Sequence, residues 1–250
     1  MTDGILARAL AVLDCFTEDE PELTAAELAA RTGLATSTLH RLVSTMLRQG
    51  LLVRVPEYRY AIGPRLWQLG ELSPLALRLR ERAIPHLVRL YEATGENVHL
   101  GVLDGDVPEE ACVLTVGRVT GRMSIPTVSR AGGRGPLHAT GVGKALLAGR
   151  EEAWLRRYFT TPRERETVHT VTDEAALRED LALARARGYA TTREEMTLGN
   201  VSVAVALPPV SGLPPIAIGI VVHLERADER RLSALLQQSA REIAAAVREA

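Results

Sequence analysis

Thr24-Ala25-Ala26-Glu27-Leu28-Ala29-Ala30-Arg31-Thr32-Gly33-Leu34-Ala35-Thr36-Ser37-Thr38-Leu39-His40-Arg41-Leu42-Val43-Ser44-Thr45-Met46-Leu47 carries two helices and the turn between them. Thr24 precedes Ala25-Ala26-Glu27, so its hydroxyl can cap a helix whose third residue returns a carboxylate, the capping-box arrangement. That helix runs through Leu28 to about Arg31 and stops at Gly33, a residue that tolerates positive φ. A second helix follows over Thr36–Leu47, burying Leu39, Leu42, Val43, Met46 and Leu47 at helical spacing. Its opposite face carries Ser37, Thr38, His40, Arg41, Ser44 and Thr45, all competent to hydrogen-bond. Helix, short glycine turn and polar-faced helix are the helix-turn-helix pattern, in which the second helix enters the major groove of DNA.

The flanks extend the pattern. Ile5, Leu6, Ala9, Leu10, Val12, Leu13 and Phe16 predict a first amphipathic helix, broken by the acidic, Pro21-containing segment Thr17–Glu22. After Gly50, Leu51–Val55 and Tyr58–Ile62 read as two strands around Pro56-Glu57, the wing of a winged helix, with Arg54 and Arg59 placed for phosphate or minor groove. The candidate DNA-contacting residues are therefore Thr36, Ser37, Thr38, His40, Arg41 and Ser44, with Thr24 at the preceding cap and Arg54 and Arg59 in the wing.

Charge supports this reading although the chain's net charge is only −1. Residues 1–30 hold one arginine against seven acids, whereas residues 31–65 hold six arginines against Glu57 alone. The remaining 185 residues balance 23 basic against 23 acidic side chains. A short basic block beside a neutral body suits a DNA-binding module, because phosphate contacts dominate affinity.

Composition narrows the remaining classes. The 250 residues, 46% hydrophobic and 24% charged, predict a soluble globular chain of one or two domains. No apolar run approaches the ~18–20 residues of a membrane helix. Ile5–Phe16 is interrupted by Arg8 and Asp14, unlike a signal-peptide core. Two cysteines, Cys15 and Cys112, cannot build a disulfide framework or a metal cluster, which points to the cytoplasm. Aromatic residues at 4% argue against a stacking platform for single-stranded nucleic acid.

Beyond Gly63-Pro64, helical spacing over Leu66–Leu72 and Leu75–Thr94, with interruptions expected near Ser73-Pro74 and Pro85, leads away from the wing. Asn97–Leu103, Ala111–Val119, Val201–Leu207 and Ile216–Leu224 read as strands, and Gly143–Tyr158, Glu174–Arg187 and Asp228–Arg248 as helices. Strand pairs joined by short connections predict an α/β (α+β) chain dominated by antiparallel pairing.

Gly135-Pro136-Leu137-His138-Ala139-Thr140-Gly141-Val142-Gly143-Lys144-Ala145 invites a phosphate-loop reading, which fails. The position five before the final glycine is His138, and Ala145 stands where Ser or Thr would bind magnesium. A dinucleotide fingerprint fails too, because no third glycine follows. The two glycines suit a strand-to-helix turn whose free N–H groups meet a carboxylate or carbonyl oxygen, or they only permit tight packing. His138 reads as a hydrogen-bonded structural histidine. The six histidines show no metal-ligand spacing, no cofactor motif is present, and no acid/base pair or nucleophile motif asks for catalysis.

This segment resembles the hallmark of the IclR family of bacterial transcription regulators. So do Leu34–Leu42 in the recognition helix, Tyr60–Leu66 after the wing, Thr94–Leu100, Arg187-Gly188-Tyr189 and Glu194-Glu195. The resemblance covers nearly the whole chain. It implies a winged helix-turn-helix domain over residues 1–70 and a GAF-like effector-binding, oligomerising domain over 71–250, with a linker helix at about 73–94. It also implies double-stranded operator DNA as partner, a small-molecule effector, and assembly as a homodimer or dimer of dimers, with no membrane association. Aligned on relatives that sense small carboxylic acids, the effector positions are Gly141, Val142, Thr192, Ser202, Gly219 and Val221. An Asp and two Ser of those relatives are absent, which leaves a more apolar wall and an effector that is neutral or partly apolar, larger than a two- or three-carbon keto acid. The alternative is a regulator that has lost sensing and keeps the domain for oligomerisation.

Overall fold

Ile5–Leu13 (α1), Glu22–Thr24 (β1), Ala25–Thr32 (α2), Thr36–Arg48 (α3), Leu52–Val55 (β2), Arg59–Ile62 (β3) and Pro64–Glu71 (α4) make up the first of two compact units, Met1–Ser73. The structure, a computed structural model, describes residues 4–105, 107–121, 125 and 129–249. Thr24 closes the capping box: its Oγ1 accepts from the Glu27 N–H at 3.3 Å, and its own N–H donates to Glu27 Oε2 at 2.7 Å. Gly33, at φ 65°, ends α2 and returns its N–H to Ala29 O. The α3 stripe Leu39, Leu42, Val43 and Met46 is buried against Val12, Leu23, Leu28, Leu52 and Tyr60.

Three features of this unit differ from the sequence reading. α1 ends at Leu13 rather than Phe16, and a three-residue strand, β1, pairs with β3 to give the order β1-β3-β2. β1 is too short to show a period of its own and exists only through its partner 37 residues away. At the wing tip Glu57 and Tyr58 both take positive φ, 60° and 58°, as in a type I′ turn, so Tyr58 belongs to the turn and not to the strand.

The second unit, Pro74–Ala250, is built on a six-stranded sheet. A π-helical turn, Leu75–Arg80, runs into Glu81–Thr94 (α5); Pro85 sits inside α5 without breaking it. The strands are Asn97–Asp104 (β4), Cys112–Val119 (β5), Arg134–Gly135 (β6), Ala190–Arg193 (β7), Asn200–Ala206 (β8) and Ile216–His223 (β9), ordered β6-β5-β4-β9-β8-β7 and antiparallel throughout. The helices are Gly141–Ala148 (α6), Glu152–Tyr158 (α7), Glu174–Arg187 (α8) and Glu229–Arg248 (α9). The helix expected over Gly143–Tyr158 is two helices, interrupted at Gly149–Glu151.

Period-two alternation sorts the sheet into two faces. Val98, Leu100, Val102, Val201, Val203, Val205, Ile218 and Ile220 join Leu87, Leu90, Leu236 and Ile243 of α5 and α9 in one apolar layer. On the other face Ala204 and Ala217 pack with Val142, Ala145, Leu146 and Leu181 of α6 and α8. Asn97, His99, Gly101, Ser202 and Gly219 alternate with the first set and so face α6, which is where a cavity opens.

Candidate functional site

Each unit carries one candidate surface. In the first, α3 presents Thr36, Ser37, His40, Arg41 and Ser44 to solvent, with Thr38 half-buried beside them. Among the described residues, no partner is found for the side chains of Arg41 or Arg54, both exposed. The other arginines of the basic block are held locally. Arg31 bonds Glu20 at 2.6 Å and the Cys15 carbonyl at 2.9 Å, and Arg48 donates to Thr45 Oγ1.

Arg59, expected to be free in the wing, turns inward. Its Nη2 donates to the Glu22 carbonyl at 2.6 Å and lies 3.7 Å from Glu27, so it fastens β1 and the start of α2 to β3. Thr24 is likewise engaged, since its hydroxyl donates to Glu27 Oε2 at 2.8 Å in addition to capping α2. These hydrogen bonds hold the Glu27 carboxyl below its usual range.

In the second unit, Gly141, Val142, Thr192, Ser202, Gly219 and Val221 all line one cavity between α6 and the sheet. Its space measures about 710 Å³ with its open mouth included. Thr140 caps α6: its Oγ1 accepts from the Gly143 N–H at 3.1 Å and donates to the Pro136 carbonyl at 2.7 Å. The N–H groups of Gly141 and Val142, the first two of α6, have no intrahelical acceptor and stand at the positive end of the helix dipole. The two glycines are also needed for space. A Cβ on Gly141 would lie 2.3 Å from Ser202 Oγ, and one on Gly143 would lie 2.3 Å from the Leu137 carbonyl oxygen. Close packing and free N–H groups thus occur in the same turn.

Leu100, Val113, Ala139 and Met196 add apolar wall, and Thr115, Ser129, Thr197 and Asn200 add polar groups, none of which the sequence reading singled out. Among the described residues, the cavity's ionisable side chains are His99 and Glu195. His99 is 6% exposed, its Nε2 has no hydrogen-bond partner, and burial together with nearby Arg118 lowers its pKa to about 4. It could have been found from the alternation of β4, where a polar residue stands between the apolar Val98 and Leu100.

Glu195 is held from behind. The Lys144 Nζ donates to Glu195 Oε1 at 2.7 Å and to Asp180 Oδ2 at 2.6 Å, with its own side chain 2% exposed. The lysine that suggested a phosphate loop is therefore an internal ion-pair partner facing α8. Burial raises the Glu195 pKa, with Lys144 opposing. Thr170 Oγ1 donates to the Glu195 carbonyl at 2.7 Å and Thr167 Oγ1 to that of Glu194 at 2.6 Å, which fixes the segment along the cavity edge. His138 Nε2 donates to the Glu164 carbonyl at 2.8 Å, and burial lowers its pKa, so it is a structural group. Among the described residues no helix is long and apolar enough to cross a membrane.

Comparison with known proteins gives the same division. Residues 5–56 match the model of the IclR helix-turn-helix domain, and residues 75–248 match that of the bacterial transcriptional regulator IclR C-terminal domain. The chain is 37% identical over 232 residues to the HTH-type transcriptional regulator BhcR of Paracoccus denitrificans, covering 92% of this chain and 81% of that protein. It is 33% identical over 245 residues to the transcriptional repressor IclR of Escherichia coli, covering 95% and 88%. An IclR homolog from Microbacterium hydrocarbonoxydans, solved in complex with 4-hydroxybenzoate, superposes with a TM-score of 0.90 at 31% identity, covering 99% of this chain and all of that one. Two domain matches that together span most of the chain, and relatives of this identity along nearly its full length, place it: the protein belongs to the IclR family of bacterial transcriptional regulators.

Proposed function

We propose that this protein is a sequence-specific DNA-binding regulator whose operator affinity is controlled by a ring-sized, partly apolar metabolite bound between α6 and the sheet. The observation that carries the reading is the convergence of Gly141, Val142, Thr192, Ser202, Gly219 and Val221 on a single cavity. Two free N–H groups at the start of α6 would take a carboxylate or carbonyl oxygen, and Val113, Val142, Met196 and Val221 would flank the ring. A structural relative bound to 4-hydroxybenzoate supports that size and chemistry. Ile5, Leu6 and Leu10 leave an apolar face of α1 in solvent, which suits self-association as a homodimer or dimer of dimers on operator half-sites a whole number of ~34 Å turns apart.

The test is a thermal-shift panel on the purified protein, at 1 mM ligand, repeated with its own upstream DNA. A 10 μM binder should stabilise by about 2.7 kcal/mol, since the gain follows RT ln(1 + [L]/Kd). Aromatic acids or lactones should shift the melting temperature and change operator affinity, whereas glyoxylate and pyruvate should not. DNA binding with no hit would favour a regulator that no longer senses a ligand; shifts from the two keto acids alone would overturn the assignment of effector class.

DNA contacts divide by the same logic. Arg41→Ala should cost about 1–3 kcal/mol on the best operator and relax preference at one base position. Arg54→Ala should weaken all sequences alike and lower the salt slope by about one. Fluorescence-anisotropy titrations at several salt concentrations distinguish these outcomes. Wild-type behaviour in both variants would mean the recognition surface lies elsewhere.

A further inference from the structure

His99 is the cavity residue whose chemistry the protein leaves incomplete. Among the described residues lining that space, its Nε2 is the buried side-chain polar atom with no hydrogen-bond partner. Buried polar groups in native proteins are satisfied with few exceptions, and each exception asks for a reason. In this case the residue lines the cavity that opens between α6 and the sheet.

Its surroundings select the kind of group it would meet. Across the sheet His99 stands opposite Arg118 on β5 and Gly219 on β9, and α6 covers Gly219 with the apolar Val142. The Arg118 guanidinium donates to the Ser129 carbonyl at 2.7 Å. Glu195, the other ionisable group of the cavity, is already paired with Lys144. Desolvation around it, and then the cation beside it, disfavour protonation, so at neutral pH the imidazole is uncharged. An uncharged imidazole has one donor and one acceptor and gives no charge to balance an anion. The partner that satisfies either tautomer without a proton moving between the groups is a hydroxyl, which both donates and accepts.

Taking the cavity as the effector site proposed above, we propose that His99 recognises a hydroxyl group on the effector and so selects hydroxylated ring compounds over their deoxy analogues. The orphaned nitrogen makes the selection strong, because an analogue lacking the hydroxyl leaves it buried and unpaired.

Isothermal titration of the full chain with 4-hydroxybenzoate and with benzoate, which differ by the hydroxyl alone, tests this. Wild type should bind the hydroxylated compound at least about tenfold more tightly. His99→Leu should bring the ratio close to one, mainly by losing affinity for 4-hydroxybenzoate, and His99→Gln, which keeps a donor and an acceptor, should retain part of the preference. Because the imidazole stays neutral, the wild-type ratio should be the same at pH 6 and pH 8, a readout that needs no variant. A preference unchanged in His99→Leu, equal losses for both ligands, or a ratio that climbs steeply toward acid would overturn the role of His99 while leaving the effector site intact. Failure of wild type to bind either compound, or any other ring compound, would overturn the reading of the cavity and this inference with it.

Discussion

Lys144→Met is expected to destabilise the protein by about 3–5 kcal/mol, the usual consequence of removing one partner from a buried ion pair. The magnitude follows from burial. The lysine side chain is 2% exposed and the Glu195 side chain 7%, so the variant leaves a carboxylate with no countercharge and little water, while Asp180, at 38%, is partly solvated. The effect depends on pH in a definite direction. Glu195 already has a raised pKa from burial, which Lys144 opposes, and without Lys144 it moves further up. The folded variant then holds a proton that the unfolded chain releases, so folding gains most below the ordinary glutamate pKa and loses that gain as pH rises through the folded value. The difference between variant and wild type should therefore be largest near pH 8 and shrink toward pH 5. Urea unfolding followed by tryptophan fluorescence reads it: Trp154 is half-buried and stacked on Tyr158 in the affected unit, whereas Trp67 is largely exposed. A loss below 1 kcal/mol, or one that does not vary with pH, would show that the triad adds little.

The second large effect is steric. Glycine to alanine within a helix ordinarily stabilises it by up to about 1 kcal/mol, and at Gly143 the sign should reverse. The new Cβ would lie 2.3 Å from the Leu137 carbonyl oxygen and 2.5 Å from Leu137 Cα, both main-chain atoms that cannot rotate away. Gly143→Ala should cost about 3 kcal/mol and abolish ligand binding as the start of α6 shifts. Gly141→Ala is milder and repairable. Its Cβ would meet Ser202 Oγ at 2.3 Å and Ser202 Cβ at 2.9 Å, a side chain that Ser202→Gly removes. The double variant Gly141→Ala/Ser202→Gly should be more stable than the sum of its single changes predicts, by 0.5 kcal/mol or more on the usual scale of coupled neighbours. Thermal and urea unfolding of the four proteins give the cycle; strict additivity would mean the two residues are not in contact.

What could be read from the sequence was whatever depends on near neighbours or on a long regular period. The α2-turn-α3 unit depends on Thr24, Glu27, Gly33 and a stripe of five apolar residues, all within 24 positions. β1 and β7 are three and four residues long and owe their conformation to partners elsewhere in the chain, so no local pattern announces them. The basic block shows the same limit. Six arginines could be counted, but not that Arg59 bonds a carbonyl 37 residues upstream or that Arg31 meets Glu20 across a turn. In the cavity, the effector positions carried over by the resemblance lay on α6, β7, β8 and β9; Thr94–Leu100 and Glu194-Glu195 contributed to the likeness but were given no part in the site. His99 was overlooked because a histidine in a strand is chemically ambiguous until the opposite wall is known. Lys144 was noticed only for a motif that it does not complete, since its partners lie 36 and 51 residues further along.

The middle of the second sheet joins β4 to β9, pairing Asn97 with Val221. During synthesis this places the two functions at different moments. The helix-turn-helix unit closes on itself by Ser73 and can form its core while the rest of the chain is still being made, as N-terminal domains generally do. The floor beneath α6 has no central seam until His223 has left the ribosome, and pairing over such a separation is intrinsically slow. A nascent chain thus completes its helix-turn-helix unit well before the central seam beneath α6 can close.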